Sequence, residues 1–216
     1  MKSILGILLL LSCGSVLSKD FLSSSITVSD NTLTLIGQDS DEDDIELEGT
    51  AFEANWEFAE GTLLRLRHSK TSIDSRDEFG SEQFDIIERG IGLAISEKTK
   101  TSMTYSFLDF TDYQYVDRET FCMGTSCETF SDKGSIVDGV WDIGVGYQFE
   151  VNDYVRLGAE LSHVRWDGED SGDDIAMTRT TLNMALSPRF PVGLNLEYSK
   201  LDRLGEELKL GVTLLF

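Results

Sequence analysis

The amino-acid sequence predicts an all-β fold: a transmembrane, antiparallel, up-and-down β-barrel of ten strands, with eight as the alternative, behind an N-terminal signal peptide. Three observations predict it. From Asp20 onward, apolar residues recur at every second position in segment after segment, which is the period of a strand. Short and long connections between these segments alternate along the chain. The final segment is strictly alternating and ends on Phe216.

The first 18 residues have the layout of a secretory signal. A positive start at Lys2 precedes the apolar run from Ile4 to Leu11, and small residues follow it. We predict cleavage after Ser18, which leaves residues 19–216 as one β-barrel domain. The alternative is that Leu10 to Cys13 acts as a lipobox, in which case Cys13 would be lipidated and become the mature N-terminus.

Composition excludes several classes of protein. The chain of 216 residues carries a formal charge of -21, the opposite of what a nucleic-acid binder needs. Its longest apolar run is far shorter than the roughly 20 residues of a transmembrane helix. With 2 His and 3 Cys, little material exists for a transition-metal site. We therefore predict neither a metal nor a cofactor.

The strands follow from the alternation, and they are long enough to cross a bilayer when tilted. We predict them at 26–36, 45–58, 62–70, 84–96, 100–110, 136–149, 154–166, 176–187, 192–201 and 206–216. The short connections are 59–61, 97–99, 150–153 and 188–191. The long ones are 37–44, 71–83, 111–135 and 167–175, with a shorter last one at 202–205. Short turns on one side and long loops on the other are typical of a bacterial outer-membrane barrel, and they require an even strand number.

Alternation alone does not determine whether the apolar face of the strands points outward to lipid or inward, since a soluble barrel of the lipocalin kind shows the same period. Small residues on the polar face favour a narrow interior: Gly90, Gly92, Ala94, Ser102, Thr104 and Ser106. Aromatic residues on the apolar face form two bands, as at membrane interfaces: Trp56, Phe58, Tyr147, Phe149 and Phe216 near the short turns, and Trp141, Phe107 and Tyr198 near the long loops. A soluble periplasmic barrel that binds an apolar ligand stays the alternative.

The last strand carries a resemblance to a known class of protein. Its apolar face, Leu208, Leu210, Val212, Leu214 and Phe216, resembles the assembly signal of Gram-negative outer-membrane β-barrel proteins, which the barrel-assembly machinery reads. The whole mature chain resembles the superfamily of small outer-membrane barrels of the OmpA/OmpX-like or porin-like type. The resemblance implies a location in the cell outer membrane, contact with its lipid and lipopolysaccharide, and a porin-like or surface structural and interaction role.

An outward apolar face places many charged residues in the lumen. The predicted lumen charges are Glu53, Glu57, Arg65, Arg67, Glu88, Asp138, Asp142, Arg156, Glu160, Arg179, Glu197, Glu207 and Lys209. The hairpin around Glu60 would pair Glu53 with Arg67 and Asn55 with Arg65. We favour an ion-pair network that fills a narrow barrel, because buried charges must be paired or hydrated. A small water-filled pore with a mixed-charge constriction is the alternative.

Recognition is expected on the long-loop side. In an exported chain, Cys122 and Cys127 are predicted to form a disulfide that closes a small loop. The segment 111–135 also contains Tyr113, Tyr115, Phe121 and Phe130, and is the best candidate for binding. The acidic loops at 39–44 and 167–174 offer a second surface for a ligand.

Catalysis is not predicted. Ser162, His163 and Asp167 are close in sequence, which superficially supplies a hydroxyl, a base and an acid. Adjacent residues of a strand point to opposite faces, however, so Ser162 and His163 cannot converge.

Overall fold

A computed structural model describes residues 24–36, 44–76, 80–123, 126–166, 175–186, 188, 190–202 and 204–216. The predicted signal peptide, the Cys13 alternative and most of the two acidic loops lie outside these residues. Ten strands are present: β1 Ser25–Leu35, β2 Ile45–Ala59, β3 Thr62–Arg76, β4 Gly80–Lys98, β5 Ser102–Met123, β6 Ser126–Asn152, β7 Val155–Trp166, β8 Ile175–Leu186, β9 Val192–Leu201 and β10 Gly205–Leu215. Each pairs antiparallel with its sequence neighbours, and β1 pairs with β10 to close the barrel. The predicted ten-stranded barrel is confirmed.

The central strands are much longer than predicted. β5 has 22 residues and β6 has 27, whereas β8 to β10 have 10 to 12. The predicted loop at 111–135 is therefore wrong, because β5 and β6 stay paired up to Met123 and Ser126. Most of the predicted loop at 71–83 is likewise paired, in β3 and β4. The strands β3 to β6 continue beyond the length needed to cross a bilayer, and they stay paired with one another there.

The outer surface is apolar. The apolar side chains exposed around the barrel include Val28, Trp56, Leu93, Ile95, Ile143, Leu161, Leu182, Leu194 and Leu210. A continuous apolar belt of this kind is a surface that hydrocarbon solvates and water does not. The faces are thus those of a transmembrane barrel, the reverse of a soluble barrel with an apolar interior. Within the described residues, no α-helix has the length and apolarity needed to cross a membrane.

The face of β5 was predicted the wrong way round. Tyr105 and Phe107 are 5% and 4% exposed and lie inside the barrel, whereas Thr104 and Ser106 face outward. Ser102 shares that outward face, since it lies opposite the lipid-facing Phe149. The large rings fit inside because β6 presents glycine opposite each of them: Gly146 to Tyr105 and Gly144 to Phe107. Phe107 is therefore part of the interior and not of the aromatic band.

The terminal strand closes the barrel. β10 pairs with β1 on one side and β9 on the other, and the Phe216 amide donates to the Ser24 carbonyl. Leu208, Leu210, Val212 and Phe216 point outward, as the alternation predicts. Inside, the Thr27 and Thr213 hydroxyls hydrogen-bond at 2.8 Å across the closing seam. Both chain ends of the barrel therefore lie on the short-turn side.

Two glycines adopt a left-handed backbone that other residues take up only with strain. Gly61, with φ of 71°, closes the tight β2–β3 turn. Gly139, with φ of 103°, lies where the β5–β6 register shifts, between the membrane-spanning and the outer part of β6. This irregularity separates the barrel from the strands that extend above it.

Candidate functional site: a filled lumen and a strand wall above it

An apolar cluster fills one side of the lumen towards the short turns. It consists of Leu63, Ala94, Met103, Tyr105 and Phe107, all buried. The Arg65 guanidinium lies over the Phe107 ring at 4.1 Å from its centroid. A cation above an aromatic face in a desolvated site is attracted by the ring quadrupole. The cluster therefore holds Arg65 in place at the boundary with the polar half of the lumen.

Lys209 is the centre of the first ion-pair group. Its Nζ lies 2.8 Å from Glu53 Oε1, 3.3 Å from Glu197 Oε1 and 3.2 Å from Glu207 Oε2. Asn31 also donates to Glu207 at 2.8 Å. Three strands, β2, β9 and β10, thus send carboxylates to one buried ammonium, which ties the closing seam of the barrel together.

Arg65 and Arg67 form the second group. Arg65 contacts Glu160 Oε2 at 3.3 Å and Asp109 Oδ2 at 3.6 Å. Arg67 contacts Asp109 Oδ2 at 3.2 Å and Glu88 Oε1 at 4.0 Å. The β2–β3 register places Glu53 opposite Arg67 and Asn55 opposite Arg65, the pairs predicted for the hairpin around Glu60. Because these partners come from β4, β5 and β7 as well, the group spans the lumen instead of following one hairpin.

Arg179 forms the third group, with Asp142 at 2.7 Å and the Tyr113 hydroxyl at 3.4 Å. A cavity of about 150 Å³ lies among the three groups. Asp109 and Asp142 are paired across β5 and β6, and in each of them Oδ1 is buried without a hydrogen-bond partner. A polar cavity of that size, with unsatisfied acceptors at its wall, is suited to ordered water.

The predicted lumen residues are distributed over these groups and the short-turn end. Glu57 pairs with Lys98, and Arg156 pairs with Glu150 at 3.0 Å, both near the short turns. The side chain of Asp138 lies outside what the structure describes. The sequence prediction did not include Asp109, which has the same parity as Phe107, a residue that the prediction placed on the lipid face. Its position between Arg65 and Arg67 follows from the β3–β4 and β4–β5 registers, in which Gly92 lies between Arg65 and Asp109.

Above the barrel, four strands continue as a sheet that we call the strand wall: residues 71–76 of β3, 80–87 of β4, 114–123 of β5 and 126–136 of β6. At roughly 3.3 Å per residue, its β5 part is about 30 Å long. Cys122 and Cys127 form the predicted disulfide across the tip, where they are paired in register. The candidate recognition segment is therefore an ordered hairpin and not a loop.

The outer face of the strand wall is held by one buried carboxylate. Asp85 has no exposed surface, and its Oδ2 lies 2.9 Å from both Lys70 Nζ and Arg118 Nη1. Ser72 donates to Oδ1 at 2.6 Å. Burial by itself raises the pKa of a carboxyl, but the hydrogen bonds from Ser72 and Lys70 and the charge of Lys70 outweigh it and hold the pKa of Asp85 below its usual value. Asp85 thus joins β3, β4 and β5 above the barrel.

This pairing predicts an acid-sensitive strand wall. Because the pKa of Asp85 is lower in the folded protein, its contribution is present above the unfolded value of about 3.9 and is lost as the pH falls through the folded value. We expect amide hydrogen exchange in 71–76 and 80–87 to accelerate below about pH 4, beyond the intrinsic pH effect. Asp85→Asn should abolish this extra acceleration, and Asp74→Asn, at an exposed position of β3, should keep it. Identical acid profiles for the two variants would contradict the role of Asp85.

The two faces of the strand wall differ in charge. The face that continues the lumen side carries the carboxylates Glu82, Asp117, Glu119, Glu128 and Asp132 and the rings of Phe84, Tyr115, Phe121 and Phe130. Phe84 and Tyr115 stack at 6.2 Å, and the Tyr115 hydroxyl donates to Asp132. The outer face carries Lys70, Arg118 and Lys133. The sheet therefore presents an acidic and aromatic surface over the mouth of the barrel.

Of the three residues considered from sequence, Ser162 and His163 are described, and they lie on opposite faces of β7. Ser162 is buried in the lumen wall, whereas His163 is exposed on the outside, as the alternation predicts. Asp167 lies outside the described residues.

No protein-family model matches the chain, and no curated protein matches it in sequence. Among solved structures it is similar to the β domain of the Bordetella autotransporter BrkA (14% identity, TM-score 0.49, 90% of this chain and 100% of that one). It is also similar to Ail, the attachment invasion locus protein of Yersinia pestis (13%, 0.43, 90% and 99%), and to Neisserial surface protein A (10%, 0.38, 89% and 97%). All three scores are below 0.5, so the barrel assignment depends on the strand pairing and on the apolar outer surface.

Proposed function

We propose that this protein is an outer-membrane barrel that displays the strand wall at the cell surface as a binding element. One observation carries the proposal. The longest strands, β5 and β6, extend above the membrane-spanning belt as part of a sheet, and a disulfide joins them at its tip. Extended and ordered backbone of this kind is not needed to cross a bilayer. Segments that stand on a rigid scaffold commonly carry binding function.

A pore is the competing function, and the lumen argues against it. Three ion-pair groups meet across the interior and leave a cavity of about 150 Å³. Barrels near this strand number are narrow enough for side chains to fill them, whereas open porins have 16 to 18 strands. The lumen network is therefore proposed as a structural filling that stiffens the scaffold of the strand wall. A soluble ligand-binding role is disfavoured, because the large apolar surface lies outside.

The same features support a location for the protein. We propose that the signal peptide exports the chain, that the barrel-assembly machinery reads the β10 strand, and that lipid and lipopolysaccharide surround the apolar belt. The termini on the short-turn side would then face the periplasm and the strand wall the exterior. We propose no enzymatic activity.

Two measurements test the proposed function. In planar bilayers the purified barrel should show no discrete conductance steps. Cells that display it should adhere to immobilised protein coats better than cells that display a variant in which residues 114–135 are replaced by a short turn. Heat-dependent gel mobility and surface proteolysis would verify that both barrels fold and reach the surface. Regular conductance steps with no effect of the replacement on adhesion would contradict the proposal.

A further inference from the structure

Among the described residues, the outer part of β6 is a sheet edge, with a neighbouring strand on one side. Ser126 to Ile136 pairs with β5 on one side, but β7 joins β6 only from Val140 onward. On the other side of this segment, no described strand is present. Along such an edge, alternate residues direct their N–H and C=O groups away from the sheet, ready to pair with an added strand. Open edges of this kind are used in peptide recognition by strand addition.

Open sheet edges are usually blocked by bulges, proline or charged side chains. Of these devices, the described β6 edge has charged side chains, on Glu128, Asp132 and Lys133. The described part of this segment contains no proline, and its register with β5 is regular from Gln114 to Met123. The edge is also held straight by the disulfide at one end and by β5, β4 and β3 behind it. A strand added there would therefore meet a rigid template.

The carboxylates next to the β6 edge determine which kind of strand can be added to it. On the lumen-side face next to the edge, the carboxylate oxygens of Glu82, Asp117 and Glu119 lie within 4.8 Å of one another. Glu128 and Asp132 stand on the edge strand itself and share that face, because they pair directly with Phe121 and Asp117. In the described part of the chain, none of these five carboxylates forms an ion pair with Lys or Arg. Among the described residues, this face therefore carries negative charge without a paired cation, next to the unpaired N–H and C=O groups of the β6 edge.

Aromatic rings lie among the carboxylates. Phe121 and Phe130 are more than half exposed, and each is paired with an acid across β5 and β6: Phe121 with Glu128, and Phe130 with Glu119. Rings beside carboxylates can cover the alkyl stem of a Lys or Arg and attract its charged head. A second copy of this chain would bring the same negative charges to the edge and be repelled. Anionic lipid would be repelled as well.

We propose that the β6 edge binds an extended, Lys- or Arg-rich segment of a partner protein as an added strand, with alternate basic side chains on the acidic and aromatic face. This inference rests on the proposed surface-binding function and names its partner class. The backbone of the β6 edge supplies hydrogen bonds, and the acidic and aromatic face supplies selectivity for positive charge. The opposite face of the sheet carries Arg118 and Lys133. A partner strand therefore has to place its basic side chains at alternate positions, so that they lie on the acidic face.

The test uses the full barrel in detergent micelles and three labelled ten-residue probes, followed by fluorescence anisotropy. The first probe alternates Lys and Thr, the second alternates Glu and Thr, and the third is the Lys–Thr peptide with every backbone nitrogen methylated. We expect binding of the first probe only. The methylated probe keeps the charge but cannot donate backbone hydrogen bonds, so equal binding by the first and third probes would overturn strand addition.

Matched charge variants test the face. Asp117→Asn with Glu119→Gln should weaken binding of the Lys–Thr probe about five- to tenfold. Glu60→Gln with Glu97→Gln removes the same charge at the short-turn end and should leave binding within about twofold. Equal effects of the two double variants would overturn the assignment. Heat-dependent gel mobility checks the folding of both.

The outcome is separable from that of the proposed function. A barrel that conducts regularly but still binds the Lys–Thr probe contradicts the proposed function and supports the edge assignment. A silent, adhesive barrel that ignores the probe overturns the edge assignment alone.

Discussion

Replacing Lys209 with methionine is expected to lower the free energy of unfolding by about 3–5 kcal/mol, because it leaves buried carboxylates without their cation. Glu53, Glu197 and Glu207 all lie within 3.3 Å of its ammonium group, whose side chain is 5% exposed. No other described cation is within ion-pairing distance of Glu197 or Glu207. The loss should appear in urea titrations of the barrel in detergent micelles, followed by tryptophan fluorescence.

Two further variants make this result specific. Lys200→Met removes an exposed ammonium that pairs with Glu206 in the same part of the sheet, and its effect should be far smaller. Adding Glu53→Gln and Glu197→Gln to the Lys209 variant should recover most of the loss, since neutral amides need no cation. A Lys209 variant as stable as the Lys200 variant would show that water in the lumen compensates the carboxylates.

Replacing Phe107 with alanine is expected to destabilise the barrel by about 3–5 kcal/mol, the usual cost of emptying a buried aromatic site. Phe107 packs with Tyr105 and lies under the Arg65 guanidinium, so its removal also frees the arginine that binds Glu160. Little can move in to fill the space, because the opposite residue on β6 is Gly144. The same urea titration measures the effect.

Phe58→Ala is the matched control for this prediction. It deletes the same side chain from the lipid-facing surface near the short turns, where Phe58 is about half exposed, and it should cost clearly less. If Phe58→Ala proved the more damaging of the two, Phe107 would lie on the lipid face and the orientation of β5 would be the reverse. The pair therefore tests the strand face directly.

The two predictions concern complementary halves of the lumen. The Lys209 group closes the seam between β2, β9 and β10, and the Phe107 cluster fills the β3 to β6 side. Together they explain how a narrow barrel with many internal charges forms a rigid base. The strand wall continues from the β3 to β6 side. A firm base is what an open sheet edge needs if it is to act as a template for another strand.

The sequence by itself predicts the class of fold. Period-two alternation in β2, β6 and β10 identifies strands and an apolar face. The register of the β2–β3 hairpin follows from the short connection around Glu60, so that Glu53 lies opposite Arg67. These features are local: a strand pattern and a tight turn need only neighbouring residues. For the same reason the strand count and the outward Leu208, Leu210, Val212 and Phe216 could be read directly.

Only the tertiary structure decides which face of β5 is buried. Tyr105, Phe107 and Asp109 alternate with Thr104, Ser106 and Leu108, and hydrophobicity alone favours placing Phe107 outside. Gly144 and Gly146 on the next strand provide the space that brings the rings in, and Arg65 and Arg67 from β3 compensate Asp109. Such information is distributed over three strands and cannot be read from one.

The height of the strand wall is likewise a tertiary property. Residues 111–135 contain polar and acidic residues that locally resemble a loop, yet they pair in register with β4 and with one another up to the disulfide. Backbone hydrogen bonds between strands depend on partners far apart in the chain, and polar side chains are tolerated where both faces meet water. The alternation therefore determines that this protein is a barrel. The long-range pairing determines that four of its strands rise above the membrane, with the outer part of β6 paired only to β5 among the described residues.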